Sequence, residues 1–436
     1  MTEASKPLIP LTAERSPWLR GPVRLPGDPA QTGLALILAG LARGDSIVDR
    51  PGSAPAVDAI IDALGQLGAR IERVERRLHV RGTGLGAFLP AAGPIDLADA
   101  GAGGLLLIAA LAAHGFTSRF VNIGADPMRG ALLDFLERNG ARIERNGDVL
   151  SLYPPRFPIP LDLALSGEAR ALIAPLLLHC ALVVGRSSLH LPTGITDPAE
   201  GLLAQFGVRL AAESGDGVTR VVVEGMAPLA AQSLTIAGDP SLAVFPAVAA
   251  LIAPDSEIVV ESVALNHGSL ALLDALVLLG GDVGIAEARE GGAGLADITA
   301  RHGKLVGTTI PASLGIAPDD YAILTVAAAF AEGETIFEAL GEGAHRLILT
   351  RALRANGIHC VEQRGGLMVR GKPRAPGGGK VDTQLDPKLA MSFLVLGMGA
   401  DQPVTIDDGA AMSTLFPDFV SALEHVGGSF STGAGA

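Results

Sequence analysis

The chain has 436 residues, of which 48% are hydrophobic and 18% charged, and it carries a net charge of -13. That length exceeds one ordinary core and points to two domains or a repeat array, while the apolar content excludes a disordered chain. An acidic balance without a basic run excludes a phosphate-backbone partner, so no nucleic acid is expected.

The first residues, MTEASKPLIPLTAERS, hold acidic and proline residues where an export signal needs a positive flank and an apolar core. The longest apolar stretch, residues 171–185, is too short to cross a bilayer and contains Pro175 and His179, which predicts a buried helix and no membrane partner. A cytoplasmic protein is expected. Cys180 and Cys360 lie in apolar phrases, and nine histidines are scattered without ligand spacing, so neither a metal site nor a cofactor is expected.

In chain order, LPGDPAQTGLAL (residues 25–36) predicts a Pro-Gly turn leading into an apolar helix that starts near Thr32. ILAGLARGDSIV then predicts the end of that helix, a turn and a strand, and IIDALGQLGARIE an amphipathic helix that stops at Gly68 before a strand. The same pair of phrases returns along the whole chain. LIAALAAHGFTSRFV precedes LLDFLERNGARIE, LLLHCALVVGRSSLHL precedes GLLAQFGVRL, and AVAALIAPDSEIVV precedes LLDALVLLGGDV. TVAAAFAEGETIF precedes LTRALRANGIHC, and SFLVLGMGADQPVTI precedes FVSALEHVGGSF. The glycines that end the amphipathic helices, Gly68, Gly140, Gly207, Gly280, Gly357 and Gly427, recur at intervals of 67 to 77 residues. Such a rhythm predicts six units of strand, buried helix, strand, outer helix and hairpin, an α/β architecture.

GDPSLAVFPAVAAL (238–251), DDYAILTVAAAFAEGETI (319–336) and, between residues 385 and 419, LDPKLAMSFLVLGM and PVTIDDGAAMSTLFPDF narrow the resemblance. With the six units, these phrases resemble the enolpyruvyl transferases, and within them the 3-phosphoshikimate 1-carboxyvinyltransferase family, over about residues 21–430. The resemblance implies two domains, each an inside-out α/β barrel of three units, one spanning 25–237 and the other 1–24 with 238–436. It also implies an interdomain cleft that binds phosphoenolpyruvate and shikimate 3-phosphate.

The family's phosphate loop, L-P-G-[SD]-K-S-x-S-x-R, places Pro29 at the lysine, Ala30 at the serine and Leu34 at the arginine. Its N-A-G-T-x-x-R loop matches DAGAGGL, with Asp99 for the asparagine and Leu105 for the arginine. R-P-M matches DPM, with Asp126 at the arginine and Arg129 nearby. S-x-Q-x-K matches SGEAR, which keeps Ser166, puts Glu168 at the glutamine and keeps a cation at Arg170. D-H-R matches DPK, so Lys388 stands for the arginine.

The loop written E-L-R-V-K-E-S-D-R in the family shrinks to LGEGAHR, in which Glu342 matches the family's glutamate. Asp319 matches the acceptor-activating aspartate, and as an acid before an apolar run it is equally a candidate helix cap.

Each charge-assisted hydrogen bond contributes roughly 1.5–3 kcal/mol, so removing several leaves a multiply charged substrate desolvated without partners. Helix dipoles, at about 0.3–1 kcal/mol each, do not replace them. The expectation is therefore a non-catalytic binding or regulatory paralogue, holding an unidentified small molecule in the cleft or a protein partner. The alternatives are an enzyme of the same fold acting on a less anionic substrate, and a working 3-phosphoshikimate 1-carboxyvinyltransferase.

Overall fold

The computed structural model describes residues 8–52, 55–124, 126–193, 195, 197–265, 267–288, 295–341 and 343–432. They form two compact units, one of Gly27–Ile236 and one of Met1–Pro26 with Ala237–Ala436.

In the first of these units, three helices are apolar nearly all round and form the core: α1 (Pro29–Leu41), α3 (Gly101–Leu111) and α5 (Ile173–Leu182). The outer helices α2 (Pro55–Gln66), α4 (Pro127–Arg138) and α6 (Ala199–Gln205) each bury only one stripe. Close packing of α2 and α3 rests on glycine, since a Cβ on Gly103 in α3 would lie 2.7 Å from Ile60 Cδ1 on α2. Three four-stranded sheets surround these helices. In each, a short strand pairs in parallel with the strand after the buried helix, and the hairpin strands continue antiparallel; Ile95–Asp96, Ser118–Val121, Val149–Tyr153 and Arg142–Asn146 are one such set. The last strand, Ser233–Thr235, pairs in parallel with Asp45–Asp49 and so supplies the first strand that the opening repeat lacks.

The other unit repeats the plan with buried helices α7 (Val244–Ile252), α9 (Tyr321–Ala329) and α11 (Pro387–Gly399), and outer helices α8 (His267–Leu278), α10 (Ala344–Ala355) and α12 (Phe419–His425). Here the N-terminal segment closes the ring. Arg20–Arg24 pairs in parallel with Glu257–Val263, and Leu11–Glu14 takes the place of a hairpin strand against Ser429–Thr432.

All six glycines after the outer helices have positive φ, from 71° at Gly357 to 111° at Gly427. A side chain there would strain the turn that sends the chain back into the sheet. Cys180 and Cys360 are buried, and burial pushes the Cys180 thiol up to about 11.

Helix α1 begins at Pro29, three residues before the expected start near Thr32. The reason is a cap formed by Asp28 with proline as the first helical residue. No described helix is long and apolar enough to cross a membrane.

Candidate functional site

An Asp-Pro pair recurs at the helix starts. Asp28 accepts from Gln31 N at 2.7 Å, Asp126 from Met128 N at 2.9 Å, Asp239 from Ser241 N at 2.9 Å, and Asp386 from Lys388 N at 2.9 Å and Leu389 N at 3.0 Å. Asp197 likewise accepts from Ala199 N at 2.9 Å. A helix N-terminus attracts an anion through its free N–H groups and dipole; at these starts the chain supplies its own carboxylate.

Within Gly27–Ile236, Pro29 is therefore the first residue of α1 and has no N–H to offer, Ala30 follows it half-buried, and Leu34 is 1% exposed in the core. Thr32 Oγ1 donates to Asp28 O at 2.8 Å and accepts from Gly52 N at 2.9 Å, which ties the helix start to the neighbouring turn. Helix α3 differs, because its cap residue Ala100 makes no side-chain bond and its first turn is open. Asp99 beside it is exposed, whereas Leu105 is 3% exposed and belongs to the core. The Ala98 N–H, and then Asn122, hold the nearby Asp96 carboxyl below its ordinary range. Ser166 and Arg170 are exposed around the 3-10 turn Gly167–Leu172, and Ser166 makes no cap bond; the Glu168 side chain lies outside the described residues.

Asp126 and Arg129, one helical turn apart on α4, line a cavity of about 350 Å³ with Gly124 and Arg145. Arg129 is 8% exposed.

The second unit, Met1–Pro26 with Ala237–Ala436, brings the starts of its three buried helices together. Lys388, in the first turn of α11, places Nζ 2.6 Å from Oδ1 of Asp320, the cap residue of α9. Asp239, which precedes α7, is close enough for its charge to sense both. Burial raises the Asp239 carboxyl above its usual value, and the Asp320 charge adds to that; the Ser241 hydroxyl and N–H and the Lys388 ammonium oppose it. Two carboxylates, Asp320 and Asp239, thus share the field of one ammonium. His345 Nδ1 lies 3.6 Å from Asp386 Oδ2, and Arg346 donates to Gly341 O at 2.9 Å.

Asp319 is exposed in the 3-10 turn Pro318–Asp320. The cap expected there is not formed: Ala317 caps the turn, Asp320 caps α9, and neither makes a side-chain cap bond. With three residues per turn, the tight lead-in shifts the cap position on by one and leaves Asp319 facing solvent. Glu342 lies outside the described residues.

Sequence reasoning missed Asp239 and Asp320. The recurrent Asp-Pro pair was a signal for the first; the second is distinguished from Asp319 only by the turn geometry. Chemically, this cluster offers an exposed carboxylate at Asp319, a buried carboxyl at Asp239 whose proton affinity is raised, and an ammonium already paired.

Comparison with known proteins agrees with this architecture. The family model described as EPSP synthase (3-phosphoshikimate 1-carboxyvinyltransferase) matches residues 14–423. A 3-phosphoshikimate 1-carboxyvinyltransferase of Rhizobium johnstonii is 35% identical over 96% of this chain and 96% of its own length, and one of Mesorhizobium japonicum is 33% identical over 96% and 97%. Among solved structures, EPSP synthase from Acinetobacter baumannii superposes with a TM-score of 0.81 at 23% identity, covering 98% of this chain and all of that one. The enolpyruvyl transferase NikO from Streptomyces tendae does so with a TM-score of 0.72 at 18% identity, covering 99% and all of that chain. The solved structures establish the two-domain α/β fold, and the family match with the full-length relatives establishes that the chain belongs to the EPSP synthase family.

Proposed function

We propose that the chain acts as a 3-phosphoshikimate 1-carboxyvinyltransferase, the activity for which both curated relatives described above are named. The observation that carries this reading is the extent of the likeness: 33–35% identity runs through almost the entire chain at nearly equal length. The expectation of a non-catalytic paralogue draws no support from these relatives.

Forming a vinyl ether from phosphoenolpyruvate requires an acid that protonates the methylene carbon and a base that takes the acceptor's hydroxyl proton. Asp319, exposed and without a hydrogen bond among the described residues, suits the base. Lys388 supplies positive charge at the start of α11, and the open first turn of α3 offers backbone N–H groups to an anion.

One observation favours a second reading. Leu34 and Leu105, which match the family's arginines, are core residues, and Asp28 and Asp126 hold helix starts with their own carboxylates. In that reading the protein binds without catalysis, or acts on a less anionic substrate.

The deciding experiment measures phosphate release by the purified chain with shikimate 3-phosphate and phosphoenolpyruvate. Turnover that is lost in Asp319→Asn supports the first reading. Absence of turnover, together with no thermal shift from either compound, overturns it in favour of the second.

A further inference from the structure

We propose that His345, held by Asp386, is the acid of the carboxyvinyl transfer, with its Nε2 giving the proton that the methylene carbon of phosphoenolpyruvate takes up. The assignment rests on the activity proposed above and fills the role that Asp319 leaves open, because a carboxylate waiting to accept the hydroxyl proton is not itself a donor.

A nitrogen without a partner carries the argument. His345 stands in the first turn of α10, its side chain 31% exposed. Its Nε2 is shut off from solvent and has no hydrogen-bond partner among the described residues, whereas Nδ1 faces Asp386 Oδ2 at 3.6 Å. A shielded polar atom with nothing to bond costs about 1–3 kcal/mol, and in native folds it calls for a bound molecule or a chemical role. His114 Nε2 is unpartnered as well, but that side chain is 6% exposed, its Nδ1 is bonded to the Ala110 carbonyl at 2.9 Å and its ring stacks on Phe88, so it belongs to a core. Only His345 combines a free ring nitrogen with a carboxylate on the other side of the ring.

Asp386 is itself fixed. Its Oδ1 accepts from Lys388 N at 2.9 Å and Leu389 N at 3.0 Å, which pins the carboxylate to the end of α11, and Oδ2 is the oxygen nearest His345. A carboxylate beside Nδ1 keeps a proton there and stabilises the imidazolium, leaving Nε2 to exchange protons with a substrate. The 3.6 Å separation is long for a hydrogen bond, and such pairs commonly tighten around bound substrate. The same turn of α11 carries Lys388, whose ammonium pairs with Asp320 next to Asp319, so the acid and the base are linked through one helix start.

In the step, the acceptor's hydroxyl oxygen bonds to C2 of phosphoenolpyruvate and yields its proton to Asp319, while the C=C electron pair takes the Nε2 proton to make a methyl group. Phosphate then departs with the C–O electron pair and the proton held by Asp319. One methyl proton returns to Nε2, which restores the double bond and the acid.

The test compares kcat for phosphate release by the full chain and its variants, with melting as the folding control. His345→Gln is expected to lower kcat by about 100-fold or more with little change in KM, the usual worth of a positioned proton donor. Asp386→Asn, which keeps the α11 cap and removes the charge facing Nδ1, is expected to lower it by about tenfold or more. Added imidazole should restore part of the turnover of His345→Ala and none of that of Asp319→Asn, a response that a packing role does not give. A His345→Gln variant within about threefold of the parent overturns the assignment and leaves the proposed activity standing. A rate loss matched by a fall in melting temperature and deaf to imidazole overturns it too. Should His345→Gln not fold, Asp386→Asn carries the test, and an unchanged kcat there overturns the assignment. A parent without turnover overturns the proposed activity and this assignment with it.

Discussion

Lys388 Nζ lies 2.6 Å from Asp320 Oδ1, and the pair joins the first turn of α11 to the cap of α9, with side chains only 19% and 12% exposed. Lys388 is thus engaged inside its own unit. Any ligand that draws on this ammonium must compete with Asp320, and the charge of Asp239 is felt there as well.

Replacing Lys388 tests that arrangement. Lys388→Met leaves Asp320 half-buried without a counter-ion and removes the ammonium that favours ionised Asp239. A loss of about 1–3 kcal/mol is expected, below the value for a fully buried pair because both groups retain some solvent. Without the ammonium the folded-state Asp239 carboxyl is pushed further up, so the variant should recover stability as pH falls and that group takes up its proton. Urea unfolding at pH 7 and pH 5 checks both points, and a deficit that is the same at the two values contradicts the charge argument.

Asp239 gives a prediction of opposite sign to the usual carboxylate. Its folded pKa is raised above the ordinary 3.8, mainly by burial, so the folded state binds its proton more readily than the unfolded state does. Its contribution is therefore most favourable at low pH and is lost as pH rises from the unfolded value through the folded one. Asp239→Asn keeps the cap on Ser241 N and removes the charge, so it should leave stability at pH 7 unchanged or raised by about 1 kcal/mol. A large loss at pH 7 would show that the carboxylate itself is needed there.

Much of this fold is legible from the six glycines. Gly68 and Gly427 lie at opposite ends of the chain yet adopt the same left-handed turn, because the hydrophobic period before each and the strand after each leave one way to connect them. The candidate site was less legible, for a geometric reason. Asp319 and Asp320 are adjacent, and which one caps α9 depends on a three-residue 3-10 turn that no hydrophobic period announces. Pro29 shows a related limit. Matched to a lysine it reads as a loss, whereas in place it is the first residue of an Asp-Pro helix start that the chain uses repeatedly. Leu34 and Leu105 follow from the same constraint, since each lies on a helix buried on nearly every side.

Asp319 separates chemistry from folding. Exposed and without a cap bond, it should tolerate Asp319→Ala and Asp319→Asn with stability changes within about 0.5 kcal/mol. In the carboxyvinyl transfer proposed above, the amide cannot accept the hydroxyl proton, so kcat should fall by about 100-fold or more with little change in KM. A fall in melting temperature that matches the fall in rate would instead mark Asp319 as structural.

His179 is the acid-sensitive element of the Gly27–Ile236 core. On α5, its Nδ1 lies 2.9 Å from Ala109 O on α3, and the side chain is almost wholly buried. Burial lowers its pKa below the usual 6.5, outweighing the hydrogen bond to the carbonyl, which favours the charged form. The folded state therefore holds a neutral imidazole, while the unfolded chain takes up a proton near pH 6.5. The contribution of His179 is fully present above that value and is lost as pH falls below it, by up to about 1.4 kcal/mol per pH unit. His179→Gln keeps a donor for Ala109 O and cannot titrate, so its stability should decline less than that of the parent between pH 6.5 and 5. Urea midpoints across pH 5–8 measure the difference. Equal slopes for parent and variant would mean that His179 takes its proton in the folded core, which would require the α3–α5 contact to open to water.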